Sequence, residues 1–177
     1  MNTNFDNLDY LQNGHPKQKR AYEVLTKNRV MDILSSFDPL LVGTIPICID
    51  IEDSDLDIIC CYQNKNEFIK LIKDAFSDAQ HFQLKEAIHQ QEQAVVANFR
   101  IDDFEIEIFG QQIPTREQNA YQHMLIEHRL LCERGESFRQ KIVELKQQGY
   151  KTEPAFARML GLEGDPYSEL LNYYTKC

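Results

Sequence analysis

The spacing of apolar residues along this chain changes period twice. Behind Pro16, a residue tolerated in the first turn of a helix, Ala21, Val24 and Leu25 and then Val30, Ile33 and Leu34 recur at helical spacing. Ser35, Ser36, Asp38 and Pro39 end that segment. From Leu40 the period shortens: residues 40–42 predict a strand closed by Gly43-Thr44, and residues 45–51 predict an irregular or extended apolar connection interrupted by Pro46. Glu52, Asp53 and Ser54 form a polar turn, and residues 55–61 predict a second strand that opens on Asp55 and Asp57. Residues 66–77 place apolar side chains at 68, 69, 71, 72, 75 and 76, the signature of an amphipathic helix. Two more strands, 94–101 and 104–109, flank Asp102-Asp103, and the two-residue gap predicts a tight hairpin. Beyond Thr115 the helical period returns, predicting helices near 117–132, 136–147, 154–160 and 166–174, the third capped by Thr152.

This order predicts an α/β (α+β) fold: a small mixed sheet, with its core at about 39–110, flanked by helices and followed by a helical tail at about 115–177. Residues 1–15 are polar and Asn-rich and are read as a leader, leaving 16–177 as one domain. A chain of 177 residues suits one hydrophobic core and would be cramped as two. The N-terminus lacks the charged start and apolar stretch of a signal peptide, and no apolar run approaches the ~20 residues that span a bilayer, so a cytoplasmic protein is expected.

A formal net charge of −9 argues against a protein that coats nucleic acid, because such affinity comes largely from Lys and Arg neutralising phosphates. A group of carboxylates awaiting a divalent cation would also make a chain acidic. The five cysteines are odd in number and form no C-x-x-C pair. Cys48, Cys60 and Cys61 sit in apolar runs and are read as reduced thiols behaving as small hydrophobes. Metalloprotease, serine-hydrolase and P-loop signatures are missing from the sequence.

The segment 41–61 carries the chemistry. Residues two apart in a strand share a face, so Asp55 and Asp57 project together and repel one another unless a cation intervenes. Such hard oxygen donors suit Mg²⁺ or Mn²⁺, bound with substrate phosphates. Gly43 permits close approach of backbone to a phosphate, and Thr44 can donate its hydroxyl. Ser54 closes the turn beside them. Further along, Arg116, Asn119, His123 and Glu127 fall three or four apart and form one helical stripe, with Ile126 and Leu130 beside it. That stripe suits a pocket wall facing the carboxylates, in which Arg116 or His123 touches phosphate or acts in proton transfer. A pairing of His123 with Glu127 on the helix surface explains the same spacing.

Val42-Gly43-Thr44 followed by Asp55-Leu56-Asp57 resembles the nucleotidyltransferases of the DNA polymerase beta superfamily, in which an apolar strand ends in Gly-Ser or an equivalent and an Asp-x-Asp strand follows. The Pro-containing connection brings the resemblance closer to bacterial nucleotidyltransferase-like proteins of the GrpB-like kind. The resemblance implies a third carboxylate on a later strand, and Glu105 and Glu107 are the candidates. A two-residue turn at 102–103 puts Arg100 opposite Glu105 and Asn98 opposite Glu107, which favours Glu107; position within the superfamily strand favours Glu105 as the metal ligand beside Asp55 and Asp57. Both stand as catalytic candidates. The implied function is Mg²⁺-dependent transfer of a nucleotidyl group from a nucleoside triphosphate to a hydroxyl acceptor, a small molecule or a protein. The alternative is an inactive relative that binds a nucleotide or a protein partner.

Overall fold

The computed structural model describes residues 3–89 and 92–174. The first two residues of the predicted leader and the end of the predicted tail, with Cys177, lie outside them. Helix α1 (Asp9–Gln12) precedes α2 (Pro16–Lys27) and the single turn α3 (Val30–Ile33). Strand β1 (Leu40–Val42) is followed by β2 (Leu56–Cys61), α4 (Lys65–Phe76), β3 (Gln80–His89), β4 (Glu92–Ile101) and β5 (Phe104–Gln111). Four helices complete the described chain: α5 (Asn119–Arg134), α6 (Glu136–Gln147), α7 (Thr152–Leu160) and α8 (Pro166–Leu171).

The sheet order is β1-β2-β5-β4-β3, with β2 and β5 parallel and every other pair antiparallel. The sheet is therefore mixed, as the sequence predicts, and it separates two apolar layers. On one face, Leu56, Ile58, Val95, Ala97, Phe99, Ile106 and Ile108 pack against Val24 and Leu25 of α2 and Phe68 and Ile72 of α4. The period of two sends Leu40, Val42 and Ile59 to the other face, where Met124, Leu130, Phe138, Ile142 and Phe156 of the helical tail cover them. Asp57, Glu107, Phe109, Val96 and Lys85 alternate onto that second face as well.

The connection between β1 and β2 is irregular, and its carbonyl groups are satisfied one by one from outside. Gln18 donates to the carbonyls of Ile45 and Pro46, at 2.8 and 3.2 Å, and Lys17 to those of Ile51 and Glu52, at 2.6 and 2.7 Å. From the tail, Arg139 donates to Ile47 and Cys48, at 2.6 and 3.2 Å, and Lys146 to Ile49, at 2.9 Å. Ile45, Ile47 and Ile49 are buried, so a backbone without a ladder is anchored both by apolar contact and by these long polar side chains.

Several local expectations change. Cys48, expected among the core thiols, is exposed at a left-handed φ of +60°, because the connection turns there. Cys60 is buried as expected. The N-cap of α7 is Lys151, not Thr152, and it makes no side-chain capping hydrogen bond; Thr152 and Glu153 occupy the first turn. From the polar N-terminal stretch, Phe5 and Leu11 are buried in the core. Among the described residues no helix is long and apolar enough to cross a membrane.

Candidate functional site

The hairpin between β4 and β5 sets the geometry. Asp102 takes the left-handed conformation that a two-residue turn needs, at φ +51°, and Arg20 pairs with both turn carboxylates. The resulting register puts Arg100 opposite Glu105 and Asn98 opposite Glu107. Glu105 is exposed and accepts a hydrogen bond from Arg100 Nη1 at 3.0 Å. Glu107 is the direct neighbour of Asp57 across the parallel pair β2–β5, and Val42 is the neighbour of Asp57 on its other side.

Asp57 and Glu107 line a cavity of about 490 Å³ between the sheet and the helical tail. Gly43 and Thr44 border it, and Asn119, His123, Glu127, Thr152 and Glu153 form its helical wall. Gly43 has φ +83°, and a Cβ built on it would collide with Asp57 Oδ2, so the aspartate lies directly on the turn. Thr44 donates its hydroxyl to Ser54 Oγ at 3.2 Å, and Ser54 Oγ also accepts the Ile51 N–H at 2.9 Å. Ser54 thus ties the two ends of the β1–β2 connection together and is not among the residues lining the cavity.

The electrostatics are those of a crowded anionic centre. Burial first, then the charges of Asp55 and Glu107, push the Asp57 carboxyl up to about 8; Lys146 opposes the shift. Burial and the charge of Asp55 raise Glu107, against the pull of Lys85. Asp55 itself stands exposed just ahead of β2 and is not among the cavity-lining residues, but its charge acts on both partners. Lys146 is buried and brought down to about 8, with Glu127, Asp50, Asp55 and Asp57 resisting the fall. Among the described residues no group of three His, Cys, Asp or Glu side chains is placed to enclose a metal ion.

The structure therefore brings together Gly43, Thr44, Asp57, Glu107 and His123, with Asp55 beside them, and leaves three expected residues elsewhere. Glu105 is held away by its cross-strand arginine. Ser54 is a loop fastener. Arg116 sits in a short 3₁₀ turn ahead of α5, where Asp6 at 2.7 Å and Asp38 at 3.0 Å take its guanidinium. Arg116→Ala is accordingly expected to change nucleotide affinity less than about twofold and stability by about 1 kcal/mol or less, as titration calorimetry and thermal melts would register. The helical stripe read from the sequence does reach the cavity, through Asn119, His123 and Glu127. His123 makes no local pair there: its Nε2–H donates to the Tyr167 carbonyl at 3.0 Å. Sequence spacing carried no sign of Lys85, Lys146 or Glu153, each of which reads as an ordinary surface charge until the chain is folded.

The mixed sheet and its flanking helices have a nucleotidyltransferase-like fold, as similar solved structures show. A Cid1 poly(U) polymerase variant bound to MgATP superposes with a TM-score of 0.54 at 12% identity, covering 87% of this chain and 47% of that one. The polymerase core of TRAMP, an RNA surveillance complex, gives 0.50 at 12% identity over 91% of this chain and 50% of its own. GLD-2 in complex with RNP-8 gives 0.50 at 12% identity over 84% and 56%. The chain spans about half the length of these structures. It belongs to the family described as Domain of unknown function (DUF4269), whose model matches residues 23–173. No curated protein matches the sequence.

Proposed function

We propose that this protein transfers a nucleotidyl group from a nucleoside triphosphate to a hydroxyl acceptor. The observation that carries this reading is the placing of Asp57 against both Glu107 and the Gly43 turn on the floor of one cavity. The donor set fits Mg²⁺ or Mn²⁺: two hard, adjacent carboxylates, both raised by burial and by the charge of Asp55, match an ion held by few protein oxygens and by phosphates. Bound there, such an ion would neutralise charge on the phosphates and on the departing pyrophosphate.

The chain's own residues supply the rest. Gly43 lets the triphosphate approach the backbone, and the Thr44 hydroxyl, on leaving Ser54, would donate to its oxygens. Glu107 accepts the proton of the acceptor hydroxyl. That oxygen then bonds to the α-phosphorus as the bond to the β-phosphate oxygen breaks, releasing pyrophosphate in an in-line displacement. The register of the hairpin supports Glu107 over Glu105 as the third carboxylate. The likeness to GrpB-like proteins rests on Gly43-Thr44 and the Pro46 connection. The net charge of −9 speaks against RNA as acceptor, although Cid1 is described as an RNA terminal uridylyl transferase.

The test is pyrophosphate release from each of the four ribonucleoside triphosphates with Mg²⁺ or Mn²⁺. Glu107→Gln should lose about a hundredfold or more in rate, and Glu105→Gln should stay within about threefold of the parent. Equal losses, or loss only with Glu105→Gln, would remove this assignment. The looseness of the carboxylate group favours a second reading, a fold that binds nucleotide without turnover; saturable nucleotide binding with no pyrophosphate would identify it.

A further inference from the structure

The helical wall of the cavity is chemically unlike its floor, and it poses a separate question. Glu127 of α5 is 3% exposed and lines the cavity, yet its Oε1 has no hydrogen-bond partner among the described residues. A buried acceptor left unpaired is costly and rare, and calls for an explanation. The cations nearby do not supply one. Lys146 of α6 attracts Glu127 but donates to the Ile49 carbonyl. Lys85 is exposed on β3 and acts on Glu107. His123 Nε2–H is committed to the Tyr167 carbonyl. Glu153 of α7 adds a second carboxylate to the same wall, 3.8 Å from His123 Nδ1, and its charge raises Glu127 further.

A triphosphate would be repelled by this wall, so the wall serves the other ligand. We propose that the acceptor is a small hydroxylated molecule bearing an ammonium group, which Glu127 and Glu153 hold. An ammonium brings three donors and a positive charge, answering both the unpaired oxygen and the excess of carboxylates. A cavity of about 490 Å³ is of small-molecule size. The word acceptor rests on the transfer reading above; the ammonium site rests only on the wall.

The probes are 2-deoxystreptamine, a ring carrying both ammonium and hydroxyl groups, and myo-inositol, a ring carrying hydroxyls alone, titrated calorimetrically into the whole chain. Saturable binding of the first and none of the second is expected. Glu127→Gln should weaken binding of the amine by roughly tenfold or more, and Glu153→Gln by a smaller factor. Asp57→Asn should leave it within about threefold while abolishing transfer. Equal binding of the two rings, no binding of the amine, or a folded Glu127→Gln that binds it unchanged would overturn the proposal. If Glu127→Gln does not fold, Glu153→Gln decides on the same terms. Amine binding that depends on these glutamates without any nucleotide transfer would sink the transfer reading and keep the ammonium site. Transfer to inositol as readily as to the amine would do the reverse.

Discussion

Asp57→Asn is expected to melt at a higher temperature than the parent protein at pH 8 while losing at least about a thousandfold in nucleotidyl transfer. The two effects have one cause. In the folded chain the Asp57 carboxyl is pushed up to about 8 from a reference of 3.8, because burial and its acidic neighbours disfavour the charge. As pH rises from about 4, the unfolded chain releases this proton first and the folded chain keeps it, so the native state loses stability until about pH 8. Below that window the group costs nothing. Asparagine keeps the shape and removes the titration, so the gain should be absent near pH 4 and grow to roughly 5 kcal/mol, or about 10–20 °C, at pH 8. Melts at pH 4, 6 and 8, each with and without Mg²⁺, provide the check. A variant that is less stable at pH 8, or one that still transfers nucleotide, would contradict the assignment of Asp57.

Gly43→Ala should cost about 1–3 kcal/mol in stability and about a hundredfold in turnover. Two penalties combine at this position. At φ +83° any L side chain is strained, and the new methyl would collide with Asp57 Oδ2. They can be separated. In an Asp57→Ala background the collision disappears and only the backbone strain remains, so Gly43→Ala should destabilise that protein less than it does the parent. Urea unfolding of the four members of the cycle measures the difference. If the two changes were additive, the turn and the carboxylate would not be in contact, and the floor of the cavity would have to be described differently.

The turn and the face taken by Asp57 were legible because local rules decide them. Gly43-Thr44 ends a run of three apolar residues, and strand alternation fixes the face of Asp57. The two-residue gap at Asp102-Asp103 gave the register that separates Glu107 from Glu105, since hairpin pairing follows from turn length alone. Strand β3 was not legible. It lies at the sheet edge, its side chains include Gln80, His81, Gln83, Lys85 and Glu86, and only Phe82 and Leu84 turn inward to the core. An edge strand needs little apolar alternation, and polar side chains there guard against pairing with other chains. Arg116 misled because helical spacing continues through it while the chain does not; the helix begins at Asn119. Lys146 and Glu153 lie far along the sequence from Asp57, and no local pattern marks a charge that folding carries inward.

The carbonyl groups of the β1–β2 connection have a last consequence. They are held from two directions, by Lys17 and Gln18 ahead of the sheet and by Arg139 and Lys146 behind it. The connection that follows Gly43 is therefore suspended between segments more than 120 positions apart, like a bridge deck hung from both banks. A chain cut after α5 would strand the carbonyls of Ile47 and Ile49 in an apolar setting, and the sheet could not keep that turn in place alone. Any force that shifts α6 would be felt first at residues 47–49 of the connection.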